Sequence, residues 1–141
     1  MIIDASAIVA IALNEDTAPG LVAAIIAADR CAISASSFLE AGIVIDSRRD
    51  PVARRRLDEL METADIEVLA FTAEQAKIAR HAYRDYGRGS GHPANLNFGD
   101  CFSYALAAER REPLLFVGDD FGHTDIRSAV EPLTVRRPAR G

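Results

Sequence analysis

The 141 residues are 49% apolar and 26% charged, a globular composition with room for one core and no second. The formal net charge of −5 excludes holding nucleic acid by bulk charge; a local basic rim, or cations held by acids, remain as routes to such a ligand. Cys31 and Cys101 form no CxxC pair and histidines number three, which argues against structural zinc and a disulfide framework. No apolar run approaches ~18 residues, which argues against a membrane span or signal peptide, so a cytoplasmic protein is expected.

Ile2–Ile3 is a short apolar run followed by Asp4, Ala5 and Ser6. The Ala-rich stretch to Leu13 then reads as a helix, so a buried strand runs into a helix with Asp4 at the junction. Thr17-Ala18-Pro19 opens a second helix reaching about Asp29, and Cys31–Ile33 is a second strand. Ser36 or Ser37 is expected to cap a helix from Phe38 to about Arg48, apolar nearly all round and hence expected to be buried on most faces. Pro51 to about Ala64 is helical, with Leu57, Leu60 and Met61 on one face; Ile66–Phe71 is a third strand. Thr72 and Gln75 fit a capping box for a helix to Tyr86, which Gly87 stops.

A Gly- and Asn-bearing loop leads to a helix starting at Asn97 or Gly99 and ending near Arg110. Pro113–Val117 is a fourth strand, and Gly118 to Phe121 is the turn after it. A fifth short strand is expected at Thr124–Ile126 or Leu133–Val135, and the basic tail from Arg136 is expected to be mobile. Alternating strands and helices specify an α/β fold whose parallel sheet is covered on both faces. Its site lies beyond the carboxyl ends of the strands.

That rule brings particular acids together. Asp4 and Asp119 end strands 1 and 4, which are neighbours if the strand order reverses at strand 1. Glu40 sits in an apolar helix, where a carboxylate is costly unless paired, metal-bound or at a cleft edge. Asp100 lies in the first turn of its helix, where an acid also complements the macrodipole. Asp4, Asp100, Asp119 and Asp120 each have an ordinary explanation alone as a cap or turn residue; Glu40 does not. Four converging carboxylates cannot all stay ionised without cations, and an all-oxygen donor set suits Mg²⁺ or Mn²⁺. Acid-held Mg²⁺ in an open cleft suits phosphodiester hydrolysis.

Asp4-Ala5-Ser6-Ala7 resembles the D-x-S-A opening of PIN-domain nucleases, and Leu39-Glu40 fits their glutamate position. The segment from Asn97 to Ala107 (NFGDCFSYALA) and the segment from Leu114 to Asp125 (LLFVGDDFGHTD) are similar to the VapC toxins of that family. The resemblance covers residues 1 to about 130, and the ending from Glu131 to Gly141 departs from the short family close. It implies a PIN domain over 1–130 and a C-terminal extension over 131–141. The implied fold is a PIN-like three-layer α/β/α sandwich around a central, mainly parallel sheet of four to five strands.

It further implies a Mg²⁺-dependent ribonuclease, with Mn²⁺ able to substitute, acting as the toxin of a type II toxin–antitoxin pair. A homodimer and a VapB-type antitoxin whose C-terminal segment enters the cleft come with it. By resemblance Asp4 and Asp100 are the principal metal ligands and Glu40 a metal or water ligand. The fourth acid is Asp119 or Asp120, with strand-end geometry favouring Asp119. Ser6 and Thr124 are expected to hydrogen-bond the carboxylates.

Arg80, Arg84 and Arg88 form one basic cluster and Arg54, Arg55 and Arg56 a second. Either could meet RNA phosphates or antitoxin acids, and a solvated helix face is the plainer reading for at least one. His92, in the loop before Asp100, is a surface residue by the same standard. An apolar partner segment is expected beside the helix Ala7–Leu13. The alternatives to a toxin are a PIN nuclease in RNA maturation and a non-catalytic α/β binding module. An aspartate-nucleophile phosphotransferase is disfavoured because Ser6 stands where its second Asp would be.

Overall fold

A computed structural model describes residues 1–130. Four short strands, β1 (Ile2–Ile3), β2 (Ala32–Ser34), β3 (Glu67–Leu69) and β4 (Leu114–Leu115), form one parallel sheet in the order β3-β2-β1-β4. Six helices surround it: α1 (Ala5–Ala12), α2 (Ala18–Ala27), α3 (Ala35–Ser47), α4 (Pro51–Thr63), α5 (Ala73–Tyr86) and α6 (Phe98–Arg110). A short 3₁₀ turn covers Asp120–His123. No described helix is long and apolar enough to cross a membrane.

The two-residue period of a strand divides the core. Ile3, Ile33 and Leu115 face a layer built from α1 to α4, where they meet Ala7, Ile8, Leu21, Ala41, Ile45 and Leu57. Ile2, Ala32 and Leu114 face the opposite layer, with Ala79, Ala82, Cys101, Ala105 and Leu106 of α5 and α6. This is the three-layer α/β/α arrangement expected from the sequence. It explains why the central strands are apolar without alternation, since both faces are buried. β3, at the sheet edge, exposes Glu67 and Val68.

The helices start where the sequence provides acceptors. Asp4 caps α1 through the Ser6 N–H, Asp50 caps α4 through the Val52 N–H with Pro51 next in line, and Thr72 caps α5 through the Gln75 N–H. α3 differs from expectation. It begins directly from β2 with Ser34 at its N-cap and no side-chain capping bond, and Ser37 lies inside the helix, buried. Its expected all-round burial is also corrected: Leu39 is 62% and Ile43 59% exposed, because only the Ser37, Ala41 and Ile45 face meets the core.

The sheet has four strands among the described residues. Thr124–Ile126 is not a strand, because Thr124 bonds back into its own turn and the chain meets β4 only through an isolated Leu114–Ser128 bridge. The alternative at Leu133–Val135, the tail from Arg136 and the rest of the 131–141 extension lie outside the described residues.

Candidate active site

The strand order places the end of β1 beside the ends of β2 and β4, and the chain leaves each of them carrying polar groups. Asp4 follows β1 and is 4% exposed. Its Oδ2 accepts the Ser6 N–H at 3.0 Å, and its Oδ1 accepts the Ser103 hydroxyl at 2.5 Å. The described residues offer it no ion pair. A buried carboxylate held by two donors and no cation keeps a strong demand for positive charge.

Asp100 is fixed by a reciprocal capping box. The Asn97 Oδ1 accepts the Asp100 N–H at 2.8 Å, and the Asp100 Oδ2 accepts the Asn97 N–H at 3.0 Å. Burial pushes the Asp100 carboxyl up to about 6. The Asn97 N–H opposes that rise, and the charges of Asp4, Asp120 and Glu40 add to it. Glu40, on the second turn of α3, is raised first by burial and then by Asp4. Its carboxylate lies over the backbone of Gly99, so α3 and α6 bring their acids to one place.

Asp119 and Asp120 both follow β4 and are both exposed. Asp119 sits before the 3₁₀ turn and makes no capping bond with its side chain, whereas Asp120 is the turn's first residue. Of the two, only Asp120 is among the charges acting on Asp100. The charges of Asp4, Asp120 and Glu40 thus act on Asp100, and that of Asp4 acts on Glu40. Among the described residues no three His, Cys, Asp or Glu side chains are already drawn together as a metal cage. Cys101, beside Asp100, has its thiol pushed up to about 11 by burial, so it offers no thiolate.

The hydroxyls expected to meet the carboxylates go elsewhere. The Ser6 Oγ accepts the Val117 N–H at 3.0 Å, which ties the start of α1 to the exit of β4; its contribution to Asp4 is its backbone N–H. The Thr124 hydroxyl donates to the Phe121 carbonyl at 2.7 Å and accepts the Ile126 N–H, shaping the turn that carries Asp120.

Of the arginines, Arg84 is engaged with Asp85 at 2.8 Å, and Arg54 with Asp46 at 2.8 Å, on exposed surfaces where such pairs contribute little. Arg80 borders an apolar groove lined by Phe71, Tyr83, Phe98 and Phe102, and Arg88 is exposed beyond α5. His92 packs its ring edge-on against Tyr86 and accepts the Ala94 N–H at 3.1 Å, which fixes the loop.

Three features of the site were not picked out from sequence. Ser103 and Ser37 are buried serines on helix faces otherwise filled mainly by apolar residues, a signal readable once those faces are known to be buried. Gly99 bears no mark in sequence beyond its place before Asp100. Tyr104 donates to Asp125 at 2.7 Å and anchors the segment after Asp120 to α6.

The PIN-domain family model matches residues 1–127. Ribonuclease VapC28 of Mycobacterium tuberculosis is 58% identical over 131 residues, covering 93% of this chain and 98% of that protein. The chain belongs to the VapC family of PIN-domain proteins. Ribonuclease VapC42 of the same organism is 50% identical, covering 92% of this VapC-family chain and 98% of the relative. Among solved structures, M. tuberculosis VapC20, described as a toxin cleaving the sarcin-ricin loop, superposes with a TM-score of 0.71 at 15% identity, covering 93% of this chain and 98% of that one. A toxin–antitoxin complex from Klebsiella pneumoniae gives 0.68 at 14% identity, with the same coverage. At these identities the two structures speak for the shared PIN fold.

Proposed function

We propose that this chain is a metal-dependent endoribonuclease and the toxin of a type II toxin–antitoxin module. The observation that carries the reading is the surroundings of Asp100, a half-buried carboxyl raised first by burial and then by the charges of Asp4, Asp120 and Glu40, with no basic side chain paired to any of them among the described residues. Its place at the strand ends of a chain 58% identical to a named VapC ribonuclease gives those surroundings a purpose. An all-carboxylate set fits a hard divalent cation, with Mg²⁺ the expected cofactor and Mn²⁺ able to substitute.

In this reading Asp4 and Asp100 hold the cation, with Glu40 and Asp120 completing the set or orienting water. Asp120 replaces Asp119 as the favoured fourth acid, because its charge reaches Asp100. A bound divalent cation would supply an acidified water and a counter-charge for the phosphate. The protein's own part is to hold Asp4 by the Ser6 amide and the Ser103 hydroxyl, and Asp100 by Asn97, so that neither must reorganise. Arg80 is the basic side chain beside the neighbouring groove that is free of an ion pair among the described residues. It fits an RNA phosphate or an antitoxin acid.

For the partner expected beside the helix Ala7–Leu13 the available surface is small, because α1 packs against α2, α3 and α4 and leaves only Val9, Ile11 and Leu13 partly buried. Ile26 on α2 is exposed, and exposed apolar residues beside the acids lie on α3 and at the start of α6, at Leu39, Ile43 and Phe98, the last 76% exposed. That patch adjoins Glu40, and it supports a homodimer and an antitoxin that both use this side of the molecule.

The test is RNA cleavage by the purified chain with Mg²⁺, Mn²⁺ or EDTA, alone and with the protein encoded next to it. Cleavage that needs the cation and stops with the partner is the expected result. Full cleavage in EDTA would remove the metal mechanism. A chain that is harmless when expressed at high level, with no partner co-purifying, would favour an RNA-maturation nuclease.

A further inference from the structure

Behind the cleft a chain of hydroxyls runs into the protein. Ser103 is fully buried and Ser37 is 1% exposed. The Ser103 hydroxyl donates to the Asp4 Oδ1 at 2.5 Å, and its oxygen lies 3.0 Å from that of Ser37. A hydroxyl has one proton, and that of Ser103 is spent on Asp4, so Ser37 is the donor in the second bond. The direction is fixed: Ser37 to Ser103 to Asp4.

The placement of the two serines is informative. Ser103 stands one helical turn after Asp100 on α6, and Ser37 one turn before Glu40 on α3. The relay therefore joins the three elements that carry Asp4, Glu40 and Asp100. Two facing serines in a dry interior cost free energy unless they are bonded, and two alanines would fill nearly the same volume without that cost. What the hydroxyls add is a short, charge-assisted bond to one carboxylate oxygen. The Ser6 N–H takes one lone pair of the other oxygen, so each Asp4 oxygen keeps one lone pair, in a fixed direction.

We infer that Ser103, braced by Ser37, is a positioning residue that holds the Asp4 carboxylate in the orientation in which it receives a divalent cation. The inference rests on the proposed cation-binding role of the cleft. It adds to it two residues that touch neither cation nor RNA. Outer hydrogen bonds of this kind alter metal affinity by about 10- to 100-fold when removed.

The experiment is calorimetric titration of Mn²⁺ into the full-length, metal-free protein at a temperature where every variant is folded. Ser103→Ala should bind Mn²⁺ at least about tenfold more weakly than wild type, and Ser103→Thr, which keeps the hydroxyl, should restore most of the affinity. Ser37→Ala, one bond further out, should weaken binding about two- to fivefold, and it carries the test if the added methyl of Ser103→Thr prevents folding. In metal-free protein the Ser6 amide resonance should shift in Ser103→Ala, because the Asp4 carboxylate it donates to is released. A purely structural role would lower the melting temperature of Ser103→Ala and leave Mn²⁺ affinity at the wild-type value; that result overturns the proposal. If wild type takes up no Mn²⁺, or Asp4→Asn takes it up as wild type does, the cation reading of the cleft fails and this inference falls with it. That outcome is distinct from a wild-type-like Ser103→Ala.

Discussion

The carboxylate of Glu40 occupies the space that a Cβ on residue 99 would fill. An alanine there would collide with the Glu40 Oε2 and stand 2.8 Å from its Cδ and 3.0 Å from its Oε1. Gly99 is thus the opening through which an acid on α3 reaches the acids on α6. The backbone there does not need glycine for its conformation, since residue 99 lies in the first turn of a regular helix.

Gly99→Ala should therefore separate stability from activity. The far end of Glu40 is flexible and can swing away, and alanine is the better helix former by up to about 1 kcal/mol. The melting temperature should hold or rise. RNA cleavage should fall about tenfold or more, because Glu40 is displaced from the cleft. Combining Gly99→Ala with Glu40→Gln should cost little beyond Glu40→Gln alone, which a double-mutant cycle on cleavage rates would read.

Asp100 makes stability depend on pH in an unusual direction. Its carboxyl titrates near 6 in the folded protein and near the ordinary 3.8 when unfolded. Between these values the unfolded chain has lost the proton that the folded one keeps, so raising the pH from about 4 to about 6 lowers the stability of the metal-free protein. Above 6 the full cost is present. Asp100→Asn should flatten that part of the profile and raise metal-free stability at pH 7 by on the order of 1 kcal/mol, a figure discounted because the carboxyl is still partly solvated. Denaturant melts at pH 4, 5, 6 and 7 in EDTA check this. The same variant should lose cleavage by orders of magnitude.

Cation uptake and protonation compete for the same carboxylate. Mn²⁺ affinity of wild type should be nearly level above pH 7 and fall towards about tenfold per pH unit below about 6. Titrations across that range in a non-chelating buffer would show the break.

The two aspartates after β4 should behave differently despite being adjacent. Asp120→Asn should reduce cleavage by about a hundredfold or more, whereas Asp119→Asn should stay within a few-fold of wild type, because the Asp120 charge adds to the field at Asp100. Side-by-side single-turnover rates at saturating Mg²⁺ decide between them. Equal losses would return Asp119 to the site.

The apolar patch on α3 should report on assembly. Ile43→Asp places a charge on a residue that is 59% exposed and outside the core, so the fold should survive with its circular dichroism unchanged. Self-association, or capture of the antitoxin, should weaken by at least about tenfold if this face is the interface, by the cost of desolvating an unpaired charge. Light scattering and a binding titration with the co-encoded partner make the measurement.

The alternation of apolar runs with capped helices was enough to specify a parallel sheet covered on both faces. The reason is local: Asp50-Pro51, Thr72 with Gln75, and Asn97 with Asp100 carry their own start signals, and the strands are apolar because both faces are covered. Glu40 stood out as an acid in an apolar helix, where bare burial is costly, whereas Asp4 and Asp100, which read equally as a cap and a first-turn acid, became candidates through the strand-end rule and the family resemblance. What sequence left open depended on contacts between distant segments. The choice between Asp119 and Asp120 turns on the path of a 3₁₀ turn. The exposure of Leu39 and Ile43 turns on which side of α3 the sheet covers. The bond from Ser103 to Asp4 joins residues brought together only because α6 packs across β1. A hydrophobic pattern can say that a face is buried, because burial is a property of one segment and water. It cannot say which atom a buried hydroxyl meets, because that partner lies on another segment and is chosen by packing.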